Sequence, residues 1–174
     1  MQRREDVLLV DGYNMIGAWS MLARLKDTNL EEARDKLLEM LADYQGFTGM
    51  EVIVVFDAHQ VPGTGATFKQ HRITVVYTKE KETADACIER LALEKRKRSR
   101  QIYVATNDLV EQHVAFGQGA LRVTARELLT DIQQNRKSIE KALERPPSQV
   151  RNELDNNLKM DVRMKLEKMR RGEQ

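Results

Sequence analysis

A three-layer α/β/α sandwich around a central, mostly parallel sheet is the fold this sequence predicts, and three observations predict it. Short apolar runs of strand length alternate with longer stretches of helical periodicity. The runs at 7–10, 52–56 and 102–105 are continuous rather than alternating, as expected of strands covered on both faces. A carboxylate recurs where such runs end, with Asp11 after the first, Asp57 after the second and Asp108 just past the fourth.

Residues 7–10 form the first strand, and Gly12, directly after Asp11, is expected to permit a sharp turn with positive φ. Residues 19–25 form a short helical segment in which Trp19 serves packing. Thr28 or Asn29 then caps an amphipathic helix, with Glu31 and Glu32 in the first turn where negative charge is favourable. Leu30, Ala33, Leu37, Leu41 and Tyr44 recur at spacings of three and four as its core stripe, and Gly46 and Gly49 end it. After the second strand, residues 58–71 read as a loop with Pro62, Gly63 and Gly65, expected to be a flexible flap near the same sheet edge. Residues 72–77 form a third strand.

The next helix buries Ala84, Ile88, Leu91 and Ala92 and carries Asp85 in its first turn. It ends in the basic run Lys95, Arg96, Lys97 and Arg98, with Arg100 just beyond. A fourth strand occupies 101–105, a helix runs from about 109 to 116, and 121–123 is a short edge strand. Thr124-Ala-Arg-Glu127 is a capping box, which opens a long helix that Pro146-Pro147 stops. Residues 148–171 read as helical with a thin apolar stripe and a basic end. The expected organisation is one domain over 1–147 and a basic helical appendage over 148–174.

Composition narrows the function. With 174 residues, 41% of them hydrophobic, there is enough chain for one packed core and a short appendage. The formal net charge of +2 leaves the partner open. No apolar run approaches the ~18–20 residues of a membrane span, and charges together with Asp11 interrupt any signal-like stretch in residues 1–20. A single cysteine, Cys87, excludes an internal disulfide and argues against a cysteine-based zinc site. A cytoplasmic location and no membrane partner are expected.

In a parallel sheet all strand C-termini lie on one side, so Asp11, Asp57, Asp108 and the helix-borne Asp85 could converge. Two carboxylates about 4 Å apart repel by roughly 4 kcal/mol at an effective dielectric of about 20. Such a cluster calls for a cation, and oxygen-only donors point to Mg²⁺ or Mn²⁺. Sites of this kind polarise a phosphodiester and activate a water for in-line attack. Asp11 and Asn14 also read as loop-forming or capping residues. Other phosphate chemistries lack their residues: there is no Gly-x-x-x-x-Gly-Lys-Ser/Thr, and Gly117-Gln-Gly119 has Arg122 where a third glycine belongs. Tyr13 stands where a phosphoaspartyl phosphatase usually carries its second aspartate, and His59, His71 and His113 have no metal-ligand or triad spacing.

Leu9-Val-Asp-Gly-Tyr-Asn-Met-Ile-Gly17, Val54-Val-Phe-Asp57, Glu82-Thr-Ala-Asp85 and Ala105-Thr-Asn-Asp108 together resemble the NYN branch of the PIN-like nucleases. Phe116-Gly-Gln-Gly-Ala and Ala125-Arg-Glu127 resemble specifically the YacP-type bacterial NYN proteins, ribosome-associated endoribonucleases. The resemblance covers about 6–145 and implies a PIN-like (NYN) fold, metal-dependent RNA cleavage, and messenger RNA on the ribosome as substrate. It matches the family's catalytic aspartates to Asp11 and Asp85, with Asn14, Asp57 and Asp108 in support and the Thr106 hydroxyl a further candidate. The implied metal ligands are Asp11, Asp85 and Asp108.

Glu82 and Glu111 fit either an outer ligand position or an ordinary helix end. Lys95, Arg96, Lys97 and Arg98, and the stretch 159–171, fit phosphate contacts to messenger or ribosomal RNA, or solvated helix ends. Tyr13 and Phe68 could stack on a base, Tyr13 the more credibly for its place beside the site. The chain is expected to act as a monomer. The alternative to the enzyme is an RNA-binding module of the same fold that docks on the ribosome without cutting.

Overall fold

β1 (Val7–Asp11) is a central strand, paired in parallel with β2 (Glu51–Phe56) on one side and β5 (Ile102–Ala105) on the other. This explains its unbroken apolar run, because both faces need cover. The structure, a computed structural model, describes residues 5–58, 65–108 and 119–144. β3 (Thr67–Gln70), β4 (Ile73–Tyr77) and β6 (Leu121–Val123) complete a six-stranded sheet of order β3-β4-β2-β1-β5-β6. Every pairing is parallel except that of β3 with β4.

The helices among the described residues are α1 (Gly12–Ala18), α2 (Ser20–Thr28), α3 (Leu30–Thr48), α4 (Ala84–Lys95) and α5 (Ala125–Glu144). Successive strand residues serve opposite faces. Leu8, Val10, Val52, Val54 and Phe56 pack with side chains of α1, α2, α3 and α5. Val7, Leu9, Ile53, Val55 and Val104 pack with Cys87, Ile88 and Leu91 of α4. The result is the three-layer α/β/α arrangement with a mostly parallel sheet.

Helix ends follow the expected chemistry. Asn29, rather than Thr28, caps α3 and accepts the Glu32 N–H at 3.2 Å. Gly49, at φ 74°, closes α3 in the left-handed conformation, while Gly46 lies within the helix. The capping box forms at α5: Thr124 N–H donates to Glu127 Oε2 at 2.8 Å and Glu127 N–H donates to Thr124 Oγ1 at 3.2 Å.

Three expectations are corrected. Gly12 does not make a positive-φ turn but opens α1, which the sequence reading missed by starting the helix at Trp19. Gly12 is required by space, since a Cβ there would collide with the Phe56 ring. Trp19 is an extended junction between α1 and α2, and its buried Nε1–H donates to the Ala125 carbonyl at 2.8 Å. Within the expected 58–71 loop, residues 67–70 are a strand, joined to β4 by His71 and Arg72 at φ 53° and 70°. Both central residues with positive φ suit a tight hairpin, so the third strand begins at Ile73 rather than Arg72.

The rest of the expected flap at 59–64, the helix expected at 109–116 and the segment after 144 lie outside the described residues. The chain divides into two compact units, Met1–Arg136 and Lys137–Gln174. Among the described residues no helix is long and apolar enough to cross a membrane.

Candidate active site

Three adjacent parallel strands, β2, β1 and β5, deliver Asp57, Asp11 and Asp108 to one edge of the sheet. Asp11 is the last residue of β1, Asp57 follows β2 directly, and Asp108 lies three residues past Ala105. β4 runs parallel to β2, so the chain leaves β4 at the same edge and enters α4 there, with Asp85 in the first turn. Thr83 caps that helix by accepting the Ala86 N–H at 3.1 Å. Asp11, Asp57 and Asp85 are half-buried and Asp108 is exposed.

Asp11 is also the N-cap of α1, its Oδ1 accepting the Asn14 N–H at 3.4 Å. The capping role anticipated for a lone Asp-Gly therefore coexists with its place among the strand-end acids. Asn14 turns its Oδ1 to the Asn107 N–H at 2.9 Å. Asn107, which the sequence reading passed over, accepts the Ala125 N–H with its own Oδ1 at 2.9 Å. It thereby bonds both the start of α1 and the start of α5.

Thr78 and Thr106 are the fully buried polar side chains among the described residues. Thr106 Oγ1 accepts the Asp108 N–H at 3.0 Å, and its own N–H donates to the Val123 carbonyl at 3.1 Å. Thr78 bonds the two residues that flank Asp57. Its N–H donates to the Phe56 carbonyl at 3.0 Å and its Oγ1 accepts the Ala58 N–H at 2.9 Å, fastening the backbone on both sides of Asp57. Thr78 was not among the residues expected at the site. The available signal was a hydroxyl residue directly after a buried strand, where the backbone must leave the ladder and find new partners.

Tyr13 packs against Phe56 with ring centroids 5.0 Å apart, and its hydroxyl accepts Arg34 Nη1 at 3.1 Å. Partial burial works against the Arg34 charge, but the Tyr13 hydrogen bond and the neighbouring Tyr13, Tyr77 and Glu31 outweigh it and raise the guanidinium pKa above its ordinary value. Burial likewise pushes up the Tyr77 hydroxyl.

Other candidates fall elsewhere. Glu82 is held by Arg90 at 3.0 Å and takes part in the turn before α4, an ordinary helix-end role. Lys95, at the far end of α4, pairs with Glu51 at 2.7 Å. Glu51 begins β2, so this pair marks the opposite edge of the sheet. Arg100 joins it through Glu5 at 2.9 Å and Glu51 at 3.8 Å, and Arg96, Lys97 and Arg98 are exposed nearby in sequence. His71 sits in the β3–β4 turn, whereas His59, Glu111, His113 and the basic stretch 159–171 lie outside the described residues. Among the described residues no three His, Cys, Asp or Glu side chains are gathered into a group that could hold a metal ion.

Comparison with known proteins bears on the fold and the family. Residues 8–171 match the YacP-like NYN domain family, a span that continues through the segment set apart on composition. The Bacillus subtilis (strain 168) protein YacP is 48% identical over 171 residues, covering 97% of this chain and 98% of the relative. The crystal structure of Rae1 (YacP) from Bacillus subtilis is similar at 48% identity with a TM-score of 0.72, covering 96% of this chain and 95% of that one. The crystal structure of a tryptophan-to-leucine mutant of that Bacillus subtilis protein is similar at 52% identity with a TM-score of 0.71, over 78% of this chain and 80% of that one. The chain therefore belongs to the YacP-like NYN domain family, and its strand-end acids are set in a nuclease-type domain.

Proposed function

We propose that this protein is a metal-dependent endoribonuclease that cleaves messenger RNA in association with the translating ribosome, acting as a cytoplasmic monomer. The observation that carries the reading is the delivery of Asp11, Asp57 and Asp108 by three adjacent parallel strands to the edge where α4 presents Asp85. The donor set is all oxygen, which suits Mg²⁺ or Mn²⁺. Mg²⁺ is commonly held by one or two carboxylates with waters and substrate phosphate, so a three-acid cage is not required. Asp11 and Asp85 would be the principal residues to hold the ion, with Asp108 the further acid that could join them.

When bound, the ion supplies charge stabilisation to the phosphodiester and a more acidic water. The rest is positioning by the chain. Thr78 and Thr106 hold the backbone that carries Asp57 and Asp108, so the chain beneath each acid is set before the substrate binds. Asn14 commits its oxygen to Asn107, which leaves its amide nitrogen as the group to offer a phosphate oxygen. Tyr13, beside Asp11, stacks on a base. Lys95, Arg96, Lys97 and Arg98, at the opposite sheet edge, suit ribosomal RNA phosphates remote from the cut, with Lys95 partly neutralised by Glu51.

The alternative is the same fold binding ribosomal RNA without cutting. Its support is that no three acids among the described residues form a metal-holding group. The test adds the purified full-length chain to a translation reaction programmed with one messenger and maps new 5′ ends. Cuts that require ongoing translation are expected. An intact messenger with the protein co-sedimenting on ribosomes would hand the function to the binding module.

A further inference from the structure

Phe56, Tyr77 and Phe68 form a continuous stack. Phe56 and Tyr77 have centroids 5.5 Å apart at an interplanar angle of 26°, and Tyr77 and Phe68 are 5.9 Å apart at 22°. The stack emerges from the core: Phe56 is fully buried, Tyr77 is half-buried, and Phe68 is 41% exposed. At its inner end Phe56 directly precedes Asp57 and touches Tyr13, two residues from Asp11, so the stack begins at the carboxylate edge. At its outer end Phe68 lies on the edge strand β3, opposite Val75, and its other strand neighbours are polar: Thr67, Lys69 and Gln70. An exposed aromatic on an otherwise polar edge strand is not explained by the core.

We propose that Phe68, backed by Tyr77 and Phe56, is a stacking shelf for an unpaired base of single-stranded RNA leading away from the strand-end carboxylates. This rests on the reading of the domain as acting on RNA and deepens it by naming the form of RNA engaged. A base laid on Phe68 continues the stack by one ring, a contact that every base can make. Bases within a duplex have both faces covered, so only a single strand can use the shelf. Charge for the backbone is at hand, with Arg34 held on the Tyr13 hydroxyl and Lys69 and Arg72 on the same hairpin as Phe68.

The experiment titrates the full-length chain, in EDTA so that nothing is cut, into a single-stranded oligoribonucleotide carrying one 2-aminopurine. Wild type and Phe68→Trp are expected to bind with quenched fluorescence. Phe68→Leu, which keeps an apolar side chain but has no π-face, should lose the quench and bind about tenfold more weakly. Melting temperatures should match, and affinity for an RNA duplex of equal length should not change. A Phe68→Leu protein that binds and quenches normally while still cutting messenger overturns the shelf alone. A wild-type protein with no affinity for RNA overturns the shelf and the RNA reading together. Loss of a dimer in Phe68→Leu, seen by sedimentation with RNA affinity intact, would instead assign this edge to self-association.

Discussion

Asn14 Oδ1 accepts the Asn107 N–H at 2.9 Å, tying the first helix after β1 to the loop after β5 across 93 residues of sequence. Because Asp108 is the next residue, Asn14 fixes the chain that carries one of the strand-end acids. Asn14→Ala removes the acceptor but leaves an exposed N–H that water can satisfy, so stability should fall by only about 0.5–1.5 kcal/mol. Cutting should fall measurably and by less than in the aspartate variants. Asn14→Asp keeps the acceptor but adds a charge beside Asp11, so it should melt between Asn14→Ala and wild type. Thermal melting beside messenger cutting reads both quantities, and an Asn14→Ala protein as inactive as Asp11→Asn would give Asn14 a larger part than positioning.

Gly12 packs where the buried Phe56 ring leaves no room for a Cβ. Gly12→Ala would ordinarily favour a helix, but here the ring must shift while held between Tyr13 and Tyr77. Overpacking of this kind costs about 1–3 kcal/mol, or a melting temperature lower by roughly 2–12 °C for a chain of this size. A calorimetric scan checks it, and unchanged melting of Gly12→Ala would show that the ring relaxes freely.

How much could be read from the sequence depended on burial. β1, β2 and β5 were legible because central strands need apolar residues on both faces, and Asp11 and Asp57 were legible because they follow such runs at once, whereas Asp108 comes three residues after its strand and Asp85 sits in a helix. β3 was not, since an exposed edge strand of Thr, Phe, Lys and Gln carries no such signature. α1 was hidden because its two glycines read as loop, and the Asp11 cap together with packing of Met15 and Ile16 in the core holds the helix despite them. The partners of Asn107 and Thr78 were hidden for another reason. Their bonds join segments 18, 20 and 93 residues apart, which no local spacing encodes.

Burial pushes the Cys87 thiol up to about 11, with Glu82 adding to the shift and Arg90 opposing it. The folded pKa thus lies above the ordinary value of 9.0, so the protonated thiol's contribution to stability is complete below about pH 9 and is lost as pH rises towards 11. Native protein at about pH 8 should resist a thiol reagent and react only on unfolding. Wild type should lose more stability than Cys87→Ala between about pH 8 and about pH 10.5 in denaturant melts. Rapid labelling of the native protein, or equal alkaline losses in the two proteins, would contradict the burial argument.

Asp11 ends a central strand and Asp85 opens a helix behind the edge of the same sheet, so their joint effect tests the fold and the chemistry together. Asp11→Asn keeps the N-cap of α1, because asparagine caps as well as aspartate, and its melting should stay close to wild type. Asp85→Asn gives up a favourable charge in the first turn of α4, about 0.3–1 kcal/mol, offset by relief of repulsion among the strand-end acids. On the proposed mechanism either change should lower messenger cutting on the order of a thousandfold, since the charge would serve both to place the ion and to activate the water. Mn²⁺ binding followed by calorimetry should weaken in parallel. Ribosome co-sedimentation should persist in both variants, because the basic run Lys95–Arg98 lies at the opposite edge, and should fall with added salt. Well-folded Asp11→Asn and Asp85→Asn proteins that cut a translated messenger at the wild-type rate would remove the nuclease chemistry from this edge and leave RNA binding as its function.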